Sequence, residues 1–359
     1  MKKILSNSFT EKIAALIKHS QTTILNSFNH TMVCTYFEIG RMIMEEEQNG
    51  NDRAAYGKYL LKELSLKLTQ DSGNGFSETN LKQMRQFYVT YQIRQTVSDE
   101  FKNNQNSIPQ TVPAELRNNQ PVEKQFKLSW SHYLKLMRII DPLERNFYEI
   151  EAHQNNWSLR ELSRQFDTAL YTRLALGKDK TQLLKLATKG QIIETPQDLI
   201  KDPYILDFLG IEENTKYSES ELEQKLIDKL ENFILELGKG FTFVARQNRI
   251  TFDEKHFKID LVFYNRFLKC FVLIDVKIGE LKHQDIGQMQ MYVNYYDREI
   301  KLDDENNTIG ILLCQDKSDA VVKYTLPQDN TQIFASQYLT VLPSKEDFQK
   351  LLRQYNARE

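Results

Sequence analysis

Two aspartates fifteen residues apart, with a lysine two residues beyond the second, are the side chains whose spacing could do chemistry: Asp260, Asp275 and Lys277. Phe257 to Tyr264 and Cys270 to Lys277 are β-branched and aromatic runs flanking a polar bend, Asn265 to Lys269, which predicts a hairpin. A hairpin centred between Phe267 and Leu268 sets Asp260 opposite Asp275, about 5 Å apart at Cβ on one face. The strand period of two adds Lys277 to that face. Two carboxylates and an ammonium therefore converge in an otherwise apolar hairpin. Neighbouring carboxylates repel, and buried charge is costly unless compensated. A bound divalent cation would compensate it, and hard oxygen ligands on a rigid sheet suit Mg²⁺, which keeps several waters and is completed by substrate phosphate; Mn²⁺ is the expected substitute.

The elements on either side must position this group. Glu219 to Leu237 has the apolar spacing of one amphipathic helix, with Leu222, Leu226, Ile227, Leu230, Phe233, Ile234 and Leu237 on its stripe, stopped by Gly238 and Gly240. At about 100° per residue, Glu223 falls within the stripe, whereas Glu221, Glu231 and Glu236 fall outside it. An acid facing a core suggests a task; the competing reading is a helix-start acid favoured by the macrodipole. Phe241 to Gln247 predicts a first strand leading into the hairpin. After it, Gln284 to Tyr296 is helical in spacing, with Gln284, Gln288 and Tyr292 on one face, so that Gln288 can point back at the strand ends. Thr308 to Cys314 predicts a further strand.

Glu223, Asp260, Asp275-x-Lys277 and Gln288, in this order and spacing, resemble the signature of the PD-(D/E)XK endonuclease superfamily, with Ile259 in place of the proline of its first motif. More narrowly, Phe-Val-Ala-Arg-Gln247, Ile-Asp-Leu-Val-Phe-Tyr264 and Gly-Gln-Met-Gln-Met-Tyr292 resemble the YhcG-type family of bacterial nucleases. The likeness extends upstream through Tyr36-Phe-Glu-Ile-Gly40, Leu128-Ser-Trp-Ser-His-Tyr133, Trp157-Ser-Leu-Arg-Glu-Leu162 and Lys201-Asp-Pro-Tyr-Ile-Leu-Asp-Phe-Leu209. The resemblance implies a mostly α N-terminal domain followed by an α/β nuclease-like domain with a mixed central sheet flanked by helices. It implies a metal-dependent nuclease acting on phosphodiester bonds of nucleic acid, with DNA as the expected substrate. In that scheme Asp260 and Asp275 hold Mg²⁺ and the carbonyl of Val276 completes the protein ligands. Lys277 orients a water and stabilises transition-state charge, Glu223 binds a second metal or positions the water, and Gln288 steadies Lys277 or the phosphate.

Composition agrees with that reading. The 359 residues suit two domains, and 40% hydrophobic with 27% charged residues is an ordinary globular balance. The expected division is a helical domain over 1–195, containing an exposed polar loop at about 103–122, and a nuclease domain over 201–359, with a hinge near Thr195-Pro-Gln-Asp198. No apolar run approaches the roughly 18 residues of a membrane span, and the first residues lack a secretory apolar segment, which predicts a cytoplasmic protein. Cys34, Cys270 and Cys314 are too few and scattered for a disulfide framework or zinc cluster. The net charge of −2 gives no general support to nucleic-acid binding, but Lys239 to Arg298 holds ten Lys and Arg against seven acids. With metal bound, the surface around Arg246, Arg249, Lys255, Lys258, Lys269 and Lys282 can hold phosphates.

The first two hundred residues contain no evident catalytic cluster. Helices are predicted over 9–28, 31–47, 56–68, 80–93, 131–140, 142–155 and 158–176, the last capped by Ser158 with Glu161. Trp130, His132 and Tyr133 could supply a base or a stacking platform, but with no acid or cysteine near the His in sequence they read first as a packed core. Arg160, Arg164 and Arg173 suit phosphate contact or surface cover equally, and His256 and His283 flank the acid motifs without an assigned role. The helical domain is the expected surface for a homo-oligomer or partner protein. Two rival classes stand beside the nuclease: a binding subunit that retains a nuclease fold without catalysis, and a scaffold in which the acids are structural.

Overall fold

Apolar positions at helical spacing with no proline to interrupt them wind the start of the chain into long helices. The computed structural model describes residues 7–49, 53–103, 126–176, 178–212, 216–252 and 254–342, and the chain divides into two units, Met1–Ser163 and Arg164–Glu359. Among the described residues no helix is long and apolar enough to cross a membrane. The expected polar loop lies, beyond Asn103, outside the described residues.

In the first unit, α1 (Asn7–Asn49) is one helix where two were expected. Neither glycine nor proline separates Phe28 from Thr31, and Thr31 turns its hydroxyl back onto the Ser27 carbonyl at 2.9 Å instead of capping a new helix. The helices α2 (Arg53–Ser72) and α3 (Glu78–Asn103) come next, and α3 approaches α1 closely at Gly40, where a Cβ would stand 2.2 Å from the Met84 carbonyl oxygen. The helices α4 (Trp130–Leu136), α5 (Pro142–Gln154) and α6 (Leu159–Asp167) complete the helical series that begins in this unit. Phe37, Phe87, Phe126 and Tyr133 are buried together, with Phe87 and Phe126 ring centroids 4.8 Å apart. His132 is satisfied by Ser129 Oγ at 2.7 Å and the Trp157 carbonyl at 3.0 Å, so this cluster is a packed core, as its composition suggests.

The expected helix over 158–176 breaks at Ala169, which adopts φ 48°, and resumes as α7 (Leu170–Ala175), after which comes α8 (Lys180–Lys189). A six-stranded sheet runs in the order β1-β6-β5-β4-β3-β2, from β1 (Tyr204–Ile205), β2 (Phe241–Phe252), β3 (Lys255–Asn265), β4 (Cys270–Glu280), β5 (Ile309–Asp316) and β6 (Ile333–Leu339). The three strands β2, β3 and β4 are antiparallel, and β4, β5, β6 and β1 are parallel, which makes the mixed sheet expected. One face packs on α9 (Glu219–Asp228) and α10 (Leu230–Leu237) through Leu222, Leu226 and Phe233. The other packs on α11 (His283–Tyr295) through Ile286, Met289 and Val293, with a π-helical turn at Tyr296–Ile300 and α12 (Asp319–Thr325) beside it.

The single helix expected over 219–237 is in fact α9 and α10, parted at Lys229, where φ −117° and ψ 31° leave the helical region. That break shifts the helical phase of the residues after Lys229, and it corrects one expectation: Glu236, placed outside the stripe, is fully buried. Arg173 donates to Glu236 at 2.7 Å and Arg164 at 3.2 Å, while the amide of Ile205 in β1 donates to it at 3.0 Å. Lys201 donates to the Glu236 backbone carbonyl. Burial alone would raise the Glu236 carboxyl, but Arg173, Lys201 and Arg164 outweigh it and hold the group down at about 2. Arg164 and Arg173 are thus neither phosphate ligands nor surface cover; they neutralise a buried acid that anchors the edge strand. Arg160 is exposed.

Candidate active site

The hairpin closes because Asn265 builds its turn: the side-chain oxygen accepts from the amides of Phe267 at 3.0 Å and Leu268 at 3.3 Å, and its amide group donates to the Lys239 carbonyl at 3.0 Å. The register is the expected one, Asn265 pairing with Cys270 and Leu261 with Ile274. One step beyond that last pair stand Asp260 and Asp275. There the ladder gives way to side chains: Asp260 Oδ2 accepts from the Val276 amide at 2.8 Å, and the Asp260 amide donates to Asp275 Oδ1 at 3.4 Å. Each aspartate thus takes up a backbone amide of the other's strand.

Asp275 is 1% exposed, and Lys277 Nζ lies 3.0 Å from its Oδ2. The contact is ionic and poorly aligned, since that oxygen has no directed hydrogen bond. Burial, then the charge of Asp275, pushes the Asp260 carboxyl up to about 8. Burial alone would lower the Lys277 ammonium, but Asp275, then Glu219 and Asp260, raise it above the usual lysine range, so it stays charged at neutral pH.

Glu223 faces inward, 7% exposed, while Glu231 is exposed. Its Oε2 accepts from Gln247 Nε2 at 2.7 Å, and its charge adds to the upward push on Asp260. Gln247 is in the left-handed region at φ 44°, an uncommon state for a residue with a Cβ. Its neighbours Arg246 and Asn248 pair with Leu261 and Ile259, so Gln247 stands across from Asp260. Gln288 donates to the hydroxyl of Tyr292, which donates onward to the Lys258 carbonyl at 2.9 Å. Gln288 is therefore tied to β3, two residues from Asp260, rather than to Lys277.

Three residues of this neighbourhood were not expected from sequence: Gln247, Tyr292 as a partner of Gln288, and Glu219, which lies 3.7 Å from Lys277 Nζ and accepts from the Ile278 amide at 3.3 Å. Glu219 entered the sequence reading only as the first residue of the expected helix, and it does occupy the first turn of α9. Tyr292 shares the four-residue step with Gln288, which was the available signal. Gln247 closes the Phe-Val-Ala-Arg-Gln247 segment that resembles the family, but nothing in its type or spacing pointed to Glu223. His256 and His283 are not among the partners of the acid pair; His256 bonds Arg249 and Thr251 instead.

The donor set fits a hard divalent cation on two observations. The buried Asp275 Oδ2 has no directed donor, and burial and the charge of Asp275 disfavour the ionised form of Asp260, so positive charge between the two would relieve both. Among the described residues no three carboxylate, histidine or cysteine side chains are gathered as a metal cage, and Glu223 reaches the pair through Gln247, which stands across from Asp260.

Comparison with known proteins finds relatives for both parts of the chain. The model of the YhcG PDDEXK nuclease domain matches residues 197–353, and that of the DUF1016 N-terminal domain matches residues 12–173. A protein of Escherichia coli (strain K12) described as "Putative nuclease YhcG" is 40% identical over 341 residues, covering 93% of this chain and 90% of that protein. Among solved structures, a repair endonuclease from Pyrococcus abyssi aligns with TM-score 0.26 and 17% identity over 37% of this chain and 50% of its own. The EndoMS–dsDNA2 complex aligns with TM-score 0.26 and 14% identity over 38% of this chain and 51% of its own. This chain spans about half the length of these two structures.

Proposed function

Because the chain belongs to the YhcG family of nucleases with a PDDEXK domain, we propose that it hydrolyses phosphodiester bonds of nucleic acid with a divalent cation held by Asp260 and Asp275, Mg²⁺ in the first place and Mn²⁺ as a substitute. DNA is the proposed substrate. The observation that carries this reading is the meeting of Asp260, Asp275 and Lys277 where the β3–β4 ladder ends, with a buried carboxylate oxygen that no directed donor satisfies.

When bound, the cation supplies Lewis-acid polarisation of the phosphate and a more acidic water. The chain supplies the rest. Lys277, held charged beside Asp275, places an ammonium where negative charge grows on the phosphate in the transition state. Burial of Asp275 and partial burial of Asp260 limit the screening of that charge by bulk water. Glu223, fixed by Gln247, is the carboxylate available to orient the attacking water or to take a second cation. Gln288 and Tyr292 brace the backbone of β3 at Lys258, which holds Asp260 at its height in the sheet. The carbonyl of Val276 is the further protein ligand proposed.

The test is a cleavage assay of the purified full chain on duplex, branched and single-stranded DNA and on RNA, with Mg²⁺ or with EDTA. Cleavage in Mg²⁺ that EDTA stops supports the proposal. Binding without cleavage under every condition replaces it with the binding-subunit reading.

A further inference from the structure

Beyond the acid pair, β2 and β3 continue together without β4. Their ladder runs on to Phe252 and Lys255, whereas the β3–β4 ladder ends at Leu261. The result is a two-stranded arm whose inner end is the site. One of its faces is packed: Ile250, Phe257 and Ile259 share a core with Ile286, Tyr292 and Tyr296, and Asn248 donates to the Tyr296 hydroxyl at 2.7 Å. Strand alternation sends Arg249, Thr251, His256 and Lys258 to the other face, and all four are exposed.

The composition of that outer face is not what stability asks for. Arg249 pairs directly with Lys258, and Thr251 with His256. Like charges directly opposed across a ladder destabilise it. Arg249 Nη2 donates to His256 Nε2 at 2.7 Å, and Thr251 Oγ1 lies 3.0 Å from His256 Nδ1, so three of the four side chains are joined by hydrogen bonds on a face that carries the charges of Arg249 and Lys258. Among the described residues neither Arg249 nor Lys258 forms an ion pair with a carboxylate, unlike Lys277, Lys317, Arg164 and Arg173.

We infer that this face of the β2–β3 arm is a rail for the sugar–phosphate backbone of the nucleic acid, leading the strand to Asp260 and Asp275. The inference rests on the nuclease reading and names the surface that grips its substrate. Along β3, Lys258 stands about 7 Å and His256 about 14 Å from Asp260 at the antiparallel rise of a strand. Charge spread in a line outward from the acids suits an extended polyanion, whereas a single small phosphate would meet one end of it. Phosphate contacts of this kind position the substrate without reading its sequence.

The measurement is fluorescence anisotropy of a fluorescein-labelled DNA duplex with the full chain in EDTA, which separates binding from cleavage, over a potassium chloride series. The double variant Arg249→Gln/Lys258→Gln is compared with wild type and with Lys185→Gln, an exposed lysine of α8. We expect the double variant to bind roughly tenfold or more weakly near physiological salt and the slope of log K against log salt to fall by about 2. Lys185→Gln should match wild type. The melting temperature of the double variant should equal or exceed that of wild type, because the substitution removes a repulsion, and this excludes misfolding as the cause of weaker binding. Wild-type affinity and slope in the double variant overturn the rail and leave the nuclease reading standing. A wild-type chain that neither binds nor, with Mg²⁺, cleaves any nucleic acid overturns both.

Discussion

Gln247 Nε2 donates to Glu223 Oε2 at 2.7 Å, which joins the strained point of β2 to the buried acid of α9 directly across from Asp260. A residue with a Cβ is held at φ 44° only when its surroundings over-determine it, and such strain collects at functional sites. Glu223→Gln should therefore lower the cleavage rate by roughly two orders of magnitude, as for loss of one electrostatic stabiliser. Glu231→Gln, on the exposed side of α10, should leave it within a small factor. Initial rates on one DNA substrate decide it, and the reverse pattern removes Glu223 from the site. Gln247→Ala should fall between the two, because Glu223 keeps its charge but loses its tether.

Lys277→Met should remove cleavage to background while retaining most of the volume of the side chain. It should also lower the melting temperature in EDTA, since Asp275, 1% exposed, loses the ammonium at 3.0 Å. Differential scanning fluorimetry with and without Mn²⁺ checks this. A cation between the aspartates replaces part of the missing charge, so Mn²⁺ should raise the variant's melting temperature by more than it raises that of wild type. Equal shifts would mean that the lysine and the cation do not share Asp275.

Metal binding itself can be read without catalysis. Calorimetric titration of Mn²⁺ into the metal-free chain should show a site that Asp275→Asn and Asp260→Asn abolish and that Glu223→Gln weakens only modestly, because Glu223 is outside any three-ligand group among the described residues. Thermal shifts should keep the same order, as a ligand that binds only the native state stabilises it with its concentration. Equal loss in all three variants would show that Glu223 closes in as a full ligand.

The hairpin was legible because its register is set by turn position alone: once Asn265 to Lys269 is the turn, Leu261 must meet Ile274 and the two aspartates must be adjacent. Glu223 was legible because it precedes the break at Lys229, where helical phase still holds. Glu236 comes after the break, and no glycine or proline marks it, so its burial could not be read. Gln247 escaped for a related reason: the β2 register slips after Phe243 and the backbone turns over at a residue type that does not signal it. The two-residue strand β1 exists only through its pairing with β6, a contact far away in sequence.

Glu236 supplies the final prediction, on stability. Its folded pKa, about 2, is below its unfolded value near 4.5, so the folded state binds fewer protons between these values. The stabilisation is present above about 4.5 and is lost as pH falls through about 2. Acid unfolding of the wild type should steepen in that window, and Glu236→Gln should flatten it while lowering stability at neutral pH by leaving Arg173 buried with a neutral partner. Arg173→Met should be the more severe change, about 3 kcal/mol or more, because it strands most of a buried carboxylate. The same argument separates two fragments. One beginning at Arg164 retains both guanidinium groups and should unfold cooperatively in urea. One beginning at Lys201 lacks them, leaves Glu236 with the Lys201 ammonium near its carbonyl as the remaining cation of the network, and should lose β1 from the sheet edge. Equal stability of the two fragments would show that Arg164 and Arg173 do not support the second unit.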